Sequence, residues 1–260
     1  MGRLLIAGMI VGLSLLSTQA RSDCGRVYSM AHSGDYVPYQ YKDKDGSLVG
    51  LDVDIVQAVM VTMGCGLELR EIPPKRAQRL LATGGLDLMA AASLTPQRQD
   101  FAYFSRPYRD ERVVMFVSQG RYSTLKDLTL ADAVDQGYRI AAGVGGWYGP
   151  EYGNLKDRAL KAGVLKLNSS TAQRIRMLLA HRVDIVVADL YVGYHHAILE
   201  GKAADITELP HVLNSDPVHF MLSRKTNTAD QVEAFNKALS KVLMSESYRG
   251  LIRKYIPESG

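Results

Sequence analysis

Ser93-Leu94-Thr95-Pro96-Gln97-Arg98, followed by Phe104-Ser105-Arg106-Pro107-Tyr108, is the stretch on which the reading of this 260-residue chain turns. Just upstream, Gly85-Leu86-Asp87-Leu88-Met89-Ala90-Ala91-Ala92 is a short apolar run that begins at glycine, the pattern of a buried strand. Ser93 to Pro96 then turns the chain. Proline suits the first position of a helical turn, where its missing N–H is no loss, and Thr95 can cap that turn with its hydroxyl. The Arg98 guanidinium would sit beside free backbone N–H groups, and its planar fork can hold a carboxylate through two parallel hydrogen bonds. The alternative is an ordinary ion pair with Asp100 or another surface acid.

Working outward, strand and helix patterns alternate. Residues 27–31 read as a strand, 42–46 as a polar turn, and 52–63 as a helix with apolar residues at 55, 58 and 59 that ends at Gly64. Residues 67–72 alternate as a strand and 75–83 form a helix before the strand that leads into Ser93. A second series follows residues 112–118, with strands at 138–142, 164–168 and 184–188, each followed by a helical stretch. Residues 218–223 read as a returning strand, and two helices close the chain. Repeated strand–helix units predict an α/β fold with mostly parallel sheets.

Composition is that of a globular protein, 47% hydrophobic and 22% charged, and the length suffices for two lobes. The formal charge of +4 comes from Lys and Arg interspersed with acids, which excludes a nucleic-acid stripe. Met1-Gly2-Arg3 is a short basic start, residues 4–16 are apolar but short for a membrane span, and Thr18-Gln19-Ala20 fits a small-x-small cleavage site. Residues 1–20 are therefore expected to be a secretory leader cleaved near Ala20. Cys24 follows Arg21-Ser22-Asp23, which is no lipoprotein motif. Cys24 and Cys65 are the only cysteines, and in an exported chain an even count predicts a disulfide between them.

His195 and His196 would point about 100° apart on a helix, and His181, His211 and His219 show no helical two-ligand spacing, so neither a metal nor another cofactor is expected. No Gly-x-Ser-x-Gly elbow, phosphate loop or His-Glu-x-x-His motif occurs.

With the Ser93–Arg98 segment, Tyr36-Val37-Pro38-Tyr39, Gly50-Leu51-Asp52-Val53-Asp54-Ile55 and Arg182-Val183-Asp184 through Ala188-Asp189 complete four motifs in one order. Residues 26–257 thereby resemble the polar-amino-acid type of periplasmic solute-binding protein, the extracytoplasmic receptor of ABC uptake systems. The resemblance implies a type II periplasmic-binding-protein-like fold with a ligand cleft between two lobes. Residues 21–116 and 217–260 would form a discontinuous first lobe and 117–216 the second, with crossings near Val117 and Ser215-Asp216-Pro217. It also implies a monomer in the periplasm, an amino-acid-like ligand and a membrane partner, either an ABC permease or a sensor protein. An enzyme resembling cyclohexadienyl dehydratases shares the fold and is the competing class.

Site residues follow from the same resemblance. Arg98, with the N–H and hydroxyl of Ser93, would hold an α-carboxylate. Asp189 would receive the α-ammonium group, although a strand-end aspartate can equally cap the following helix. Ala91 could offer its carbonyl to the same ammonium. Tyr36 and Tyr39, one or both, would lie against the ligand side chain, where aromatic faces favour apolar or cationic groups.

The run Gly143-Val144-Gly145-Gly146-Trp147-Tyr148 lies between strand and helix, where glycine permits close approach and N–H groups attract an anion. A plain tight turn is the alternative. Trp147 stands where relatives usually carry Thr or Ser, so only the backbone donor at Gly146-Trp147 carries over. Pro74 stands where relatives often carry an aromatic. The side-chain pocket would then be reshaped, with Arg76 a candidate to point into it.

Overall fold

Two β-sheets of mixed direction, each flanked by helices, carry the chain; the computed structural model describes residues 24–256. The expected leader, residues 1–20, lies outside the described residues. In the first sheet the strand order is Gly66–Glu71, Val27–His32, Leu88–Ala92, Pro217–Ser223 and Ala102–Phe104, with Arg109–Asp110 also paired to Pro217–Ser223. In the second it is Leu165–Leu167, Ile140–Ala142, Ile185–Asp189, Val113–Ser118 and Ile206–Asn214. A small three-stranded sheet, Asp35–Tyr36, Gln40–Lys42 and Leu48–Val49, sits beside the first.

The expectation of mostly parallel sheets needs correction. Val27–His32 runs parallel to both of its neighbours, as does Ile140–Ala142. Pro217–Ser223 and Val113–Ser118, however, are antiparallel to theirs. The cause is topological. Each of these two strands begins where the chain arrives from the other sheet, at the end where the parallel strands finish, so it must run the opposite way.

The first crossing also lies earlier than expected. Val113 pairs with Asp189 in the second sheet, and Asp110 pairs with Pro217 in the first. The chain therefore passes between sheets at Glu111-Arg112 rather than near Val117. It returns at Ser215-Asp216, between Ile206–Asn214 and Pro217–Ser223.

The helix Leu51–Met63 shows how sequence positions these layers. Its cap, Gly50, has φ 132°, and a Cβ there would lie 2.3 Å from the Tyr39 carbonyl oxygen. No other residue can let the helix start this close to the preceding loop. Leu51, Ile55, Val56, Val59 and Met60 form its buried face in one core with Phe220, Phe235 and Leu239. Gly64, left-handed, ends the helix and returns its N–H to the Met60 and Val61 carbonyls. No described helix is long and apolar enough to cross a membrane.

Asp52, on the first turn of this helix, is fully buried and accepts from Arg109 Nε at 2.9 Å and Gln40 Nε2 at 2.9 Å. The Arg109 guanidinium lies 3.5 Å from the Tyr39 ring centroid. Asp52, Arg109 and Tyr39 thus form one sealed unit that braces the start of the first crossing.

Cys24 and Cys65 are joined in a disulfide, their Cα atoms 5.2 Å apart. The bridge ties the residues ahead of the first strand to the turn after Leu51–Met63. Closing a loop across 41 residues stabilises by up to about 4 kcal/mol through the unfolded chain. Replacing both cysteines with serine should lower the urea unfolding free energy by that order. Equal stability of the two forms would show that the bridge contributes nothing.

Candidate functional site

The parallel strands of both sheets end at a common cavity of about 180 Å³, the usual place for a ligand in an open α/β sheet. That volume suits a ligand of amino-acid size. Ala91, Ala92 and Ser93 from the first sheet line it, as do Gly143, Ala188 and Asp189 from the second.

Arg98 is held as its local sequence predicts. Pro96–Gln99 is a single helical turn capped by Thr95, whose hydroxyl accepts from the Arg98 N–H. Arg98 Nη1 donates to the Ser93 carbonyl at 2.9 Å, and Nη2 reaches across the cleft to the Gly145 carbonyl at 3.4 Å. Among the described residues no carboxylate lies within ion-pair distance of this guanidinium, Asp100 included. Burial pulls its pKa below the ordinary value, with the Glu111 charge opposing.

Ala91 breaks the first sheet locally. Its φ is +53°, the register with Pro217–Ser223 shifts beside it, and its N–H donates to the Tyr108 hydroxyl at 2.9 Å. A non-glycine residue in that region costs of order 1–3 kcal/mol, strain held at the cavity wall by its surroundings.

Asp189 ends the strand Ile185–Asp189 and caps the helix Leu190–Leu199. Its Oδ1 accepts from the Val192 N–H at 3.0 Å. Its Oδ2 is buried, with no hydrogen-bond partner among the described residues. Capping uses one oxygen and leaves the other open, so the two expected roles do not compete. Burial raises the Asp189 pKa, while Arg109 and the backbone N–H groups of Val192, Arg112 and Tyr191 oppose the rise.

Glu111, at the crossing, also lines the cavity and is 8% exposed. The Tyr36 hydroxyl donates to its Oε1 at 2.8 Å. Burial first, and then the charge of Asp189, push its pKa up to about 7. A folded state that keeps this proton to pH 7 competes with an unfolded chain that releases it near 4.5. Unfolding free energy should therefore fall by about 1 to 3 kcal/mol as pH rises through that window. Glu111→Gln should flatten the curve, as read from urea melts between pH 4.5 and 8.

The loop opposite is closed on itself and on the first lobe. The Gly143 N–H donates to the Tyr148 hydroxyl at 3.0 Å, and the Gly145 carbonyl accepts from Gln78 Nε2 at 3.2 Å as well as from Arg98. The helix begins only at Pro150, capped by Gly149. The N–H of Gly146 is thus not part of a helix start, and the anion-attracting reading of that turn loses its helical support. Gly146 and Trp147 nevertheless line the cavity. His196 Nε2 is hydrogen-bonded to the Asp35 carbonyl at 3.0 Å, a further bridge between lobes.

Of the expected contacts, Tyr36, Pro74, Ala91, Ser93, Arg98, Gly146, Trp147 and Asp189 meet around the cavity. Tyr39 and Arg76 do not. Tyr39 is 1% exposed and packs beneath Arg109 in the first core, while Tyr36 takes the cavity side. Arg76 is exposed because its helix, Pro74–Thr83, buries Ala77 and Leu81, which turns position 76 toward solvent.

Sequence reasoning missed Glu111, whose polar surroundings Arg109-Asp110-Glu111-Arg112 look like a surface charge run. It also missed Arg174, 3% exposed on Thr171–Leu179, which lines the cavity and donates to the Asn168 carbonyl and to Thr171 Oγ1. No described acid pairs with it. An arginine on the buried face of an amphipathic helix was the one available signal.

The sequence model of the bacterial extracellular solute-binding proteins, family 3, matches residues 28–258. The chain belongs to that family. This family 3 protein is 29% identical over 134 residues to the putative ABC transporter arginine-binding protein 2 of Escherichia coli K12, a match covering 49% of this chain and 51% of that protein. It is 29% identical over 127 residues to cyclohexadienyl dehydratase of Pseudomonas aeruginosa, covering 46% and 47%. The chain thus spans about half the length of these two curated relatives. Among solved structures, a histidine kinase sensor domain with similarity to periplasmic binding proteins superposes with a TM-score of 0.76 at 19% identity, covering 89% of this chain and 96% of that one. The fold of this family 3 protein is accordingly the two-lobed periplasmic-binding-protein type.

Proposed function

We propose that this protein captures an amino acid or similar small zwitterion in the periplasm and presents it to an ABC permease, without chemistry. One observation carries the reading. Arg98, a guanidinium with no acid partner among the described residues, and Asp189 Oδ2, a carboxylate oxygen with no donor among them, come from opposite lobes to one small cavity. Each is costly while unpaired, and a zwitterion pairs both at once. Ser93 adds a hydroxyl near Arg98, Ala91 lies on the same wall, and Tyr36, Pro74 and Trp147 form the surface for the ligand side chain. A ligand that touches both lobes favours the closed form by those differential contacts. The arginine-binding relative supports the amino-acid class; the sensor-domain neighbour fits delivery to a signalling partner by the same closure.

A second reading has one observation in its favour. A dehydratase needs an acid that holds its proton near neutral pH, and Glu111 is such a group in the cleft.

Thermal shift against the L-amino acids, their deaminated and decarboxylated analogues, polyamines and small dicarboxylates tests the first reading. A true ligand at a hundredfold excess over its dissociation constant adds about 2.7 kcal/mol, roughly 5 to 10 °C for this size. A prephenate turnover assay tests the second. Turnover that vanishes in Glu111→Gln would replace the receptor by an enzyme.

A further inference from the structure

Two carboxylates line the cavity next to one another in the second lobe's frame. Val113 is the register partner of Asp189, and Glu111 lies two residues before Val113 on the same passage of chain. Both are more than nine-tenths buried, and Asp189 Oδ2 has no hydrogen-bond partner. Arg109, the cation that acts on both carboxylates, is already committed to Asp52 at 2.9 Å and is stacked on Tyr39. Two buried carboxylates with no ion-pair partner among the described residues are held apart in protonation: one keeps a proton until a positive charge arrives.

The donors decide which one. Asp189 is faced by the backbone N–H groups of Val192, Arg112 and Tyr191, all of which favour its ionised form. Glu111 has a single donor, the Tyr36 hydroxyl. The proton therefore resides on Glu111. The other charged and titratable groups that act on Glu111 are Arg109, Asp52 and Tyr39 of the sealed unit, with Arg98 and Tyr148 across the cavity.

We propose that Glu111 and Asp189 together form a two-carboxylate seat for the ligand's ammonium group, and that filling the seat expels the proton Glu111 carries in the unliganded protein. The inference rests on the amino-acid reading above and adds to it a second ammonium ligand and a proton coupling. The exchange balances: the ligand enters as R–NH₃⁺, Glu111–COOH becomes carboxylate, and H⁺ passes to solvent. Affinity then rises with pH below the value at which free Glu111 titrates and levels off above it, because whatever binds the deprotonated form competes with the proton.

The twenty proteinogenic L-amino acids, each tested by thermal shift at pH 6 and pH 8, supply the probe, and the tightest binder goes to calorimetry in buffers of different ionisation enthalpy. The expected dissociation constant is about tenfold weaker at pH 6 than at pH 8, with close to one proton released per ligand at pH 6 and about half at pH 7. Glu111→Gln should abolish both the proton release and the pH dependence while weakening binding at pH 8. This variant also separates Glu111 from His32, which lines the same cavity and titrates at lower pH because burial disfavours its charge. Binding with pH-independent affinity and no proton release overturns the seat and leaves the amino-acid reading standing. No shift from any amino acid at either pH overturns that reading, and the seat with it. Wild-type proton release alone decides the matter if the variant does not fold.

Discussion

Arg98→Ala should abolish tight binding of any ligand that presents an α-carboxylate, raising the dissociation constant by roughly 30-fold to several thousand-fold. The figure follows from the ~2 to 5 kcal/mol lost when one partner of a buried, hydrogen-bonded charge pair is truncated. Folding should change little, since the partners of the Arg98 guanidinium among the described residues are main-chain, the Ser93 and Gly145 carbonyls, and no described carboxylate forms an ion pair with it. Arg98→Lys should fall between: the charge remains, but the fork that makes two parallel bonds is gone. Calorimetry on both variants, with circular dichroism as the folding check, measures this. Unchanged affinity in a folded Arg98→Ala protein would remove the carboxylate clamp.

Asp189→Asn should produce a loss of similar size with a different chemical signature. Asparagine caps a helix as well as aspartate does, so the bond from the Val192 N–H is kept and the helix Leu190–Leu199 remains. The negative charge proposed to face the ammonium group is lost. Amino acids should therefore weaken by about 2 to 5 kcal/mol, while their deaminated counterparts, which never used that charge, should change far less. Equal losses for both would show that Asp189 acts through structure and not through the ammonium group. The unliganded variant should be no less stable than wild type, because a buried carboxylate whose second oxygen lacks a donor has been replaced by a neutral group.

How much of this was open to reading from residues alone varies with what the residues encode. Element order was legible because periodicity and punctuation are local. Thr95 and Pro96 mark the turn that carries Arg98, Gly64 ends the first helix, and Asp189 stands at the end of an apolar strand before a new helix. Strand direction is not local. Val113–Ser118 is buried almost throughout, so the run looks the same in either lobe and in either direction. Only its pairing with Asp189 and Asn214 places it in the second sheet.

The same limit explains the site residues that moved. Tyr36 and Tyr39 are equally good wall candidates by type, and it is the Arg109–Asp52 pair, assembled from distant positions, that draws Tyr39 into the core. Asp52 carries part of a family motif, yet its structural role is to neutralise Arg109. Glu111 acquires its character from Asp189, Tyr36 and burial, none of which its neighbours in sequence reveal. Arg174 reads as an interruption of an amphipathic pattern until the loop from Gly143 to Tyr148 is folded against it.

The central claim is that one small cavity recognises a positive and a negative group together. Trp147, the chain's single tryptophan, lines that cavity, so its emission reports directly on what enters. Fluorescence titration with each L-amino acid, its deaminated analogue and its decarboxylated analogue is the decisive measurement. The account predicts a saturable change for at least one amino acid and binding at least thirtyfold weaker for both of its analogues. An analogue that lacks either charge and binds as tightly as the parent would contradict it.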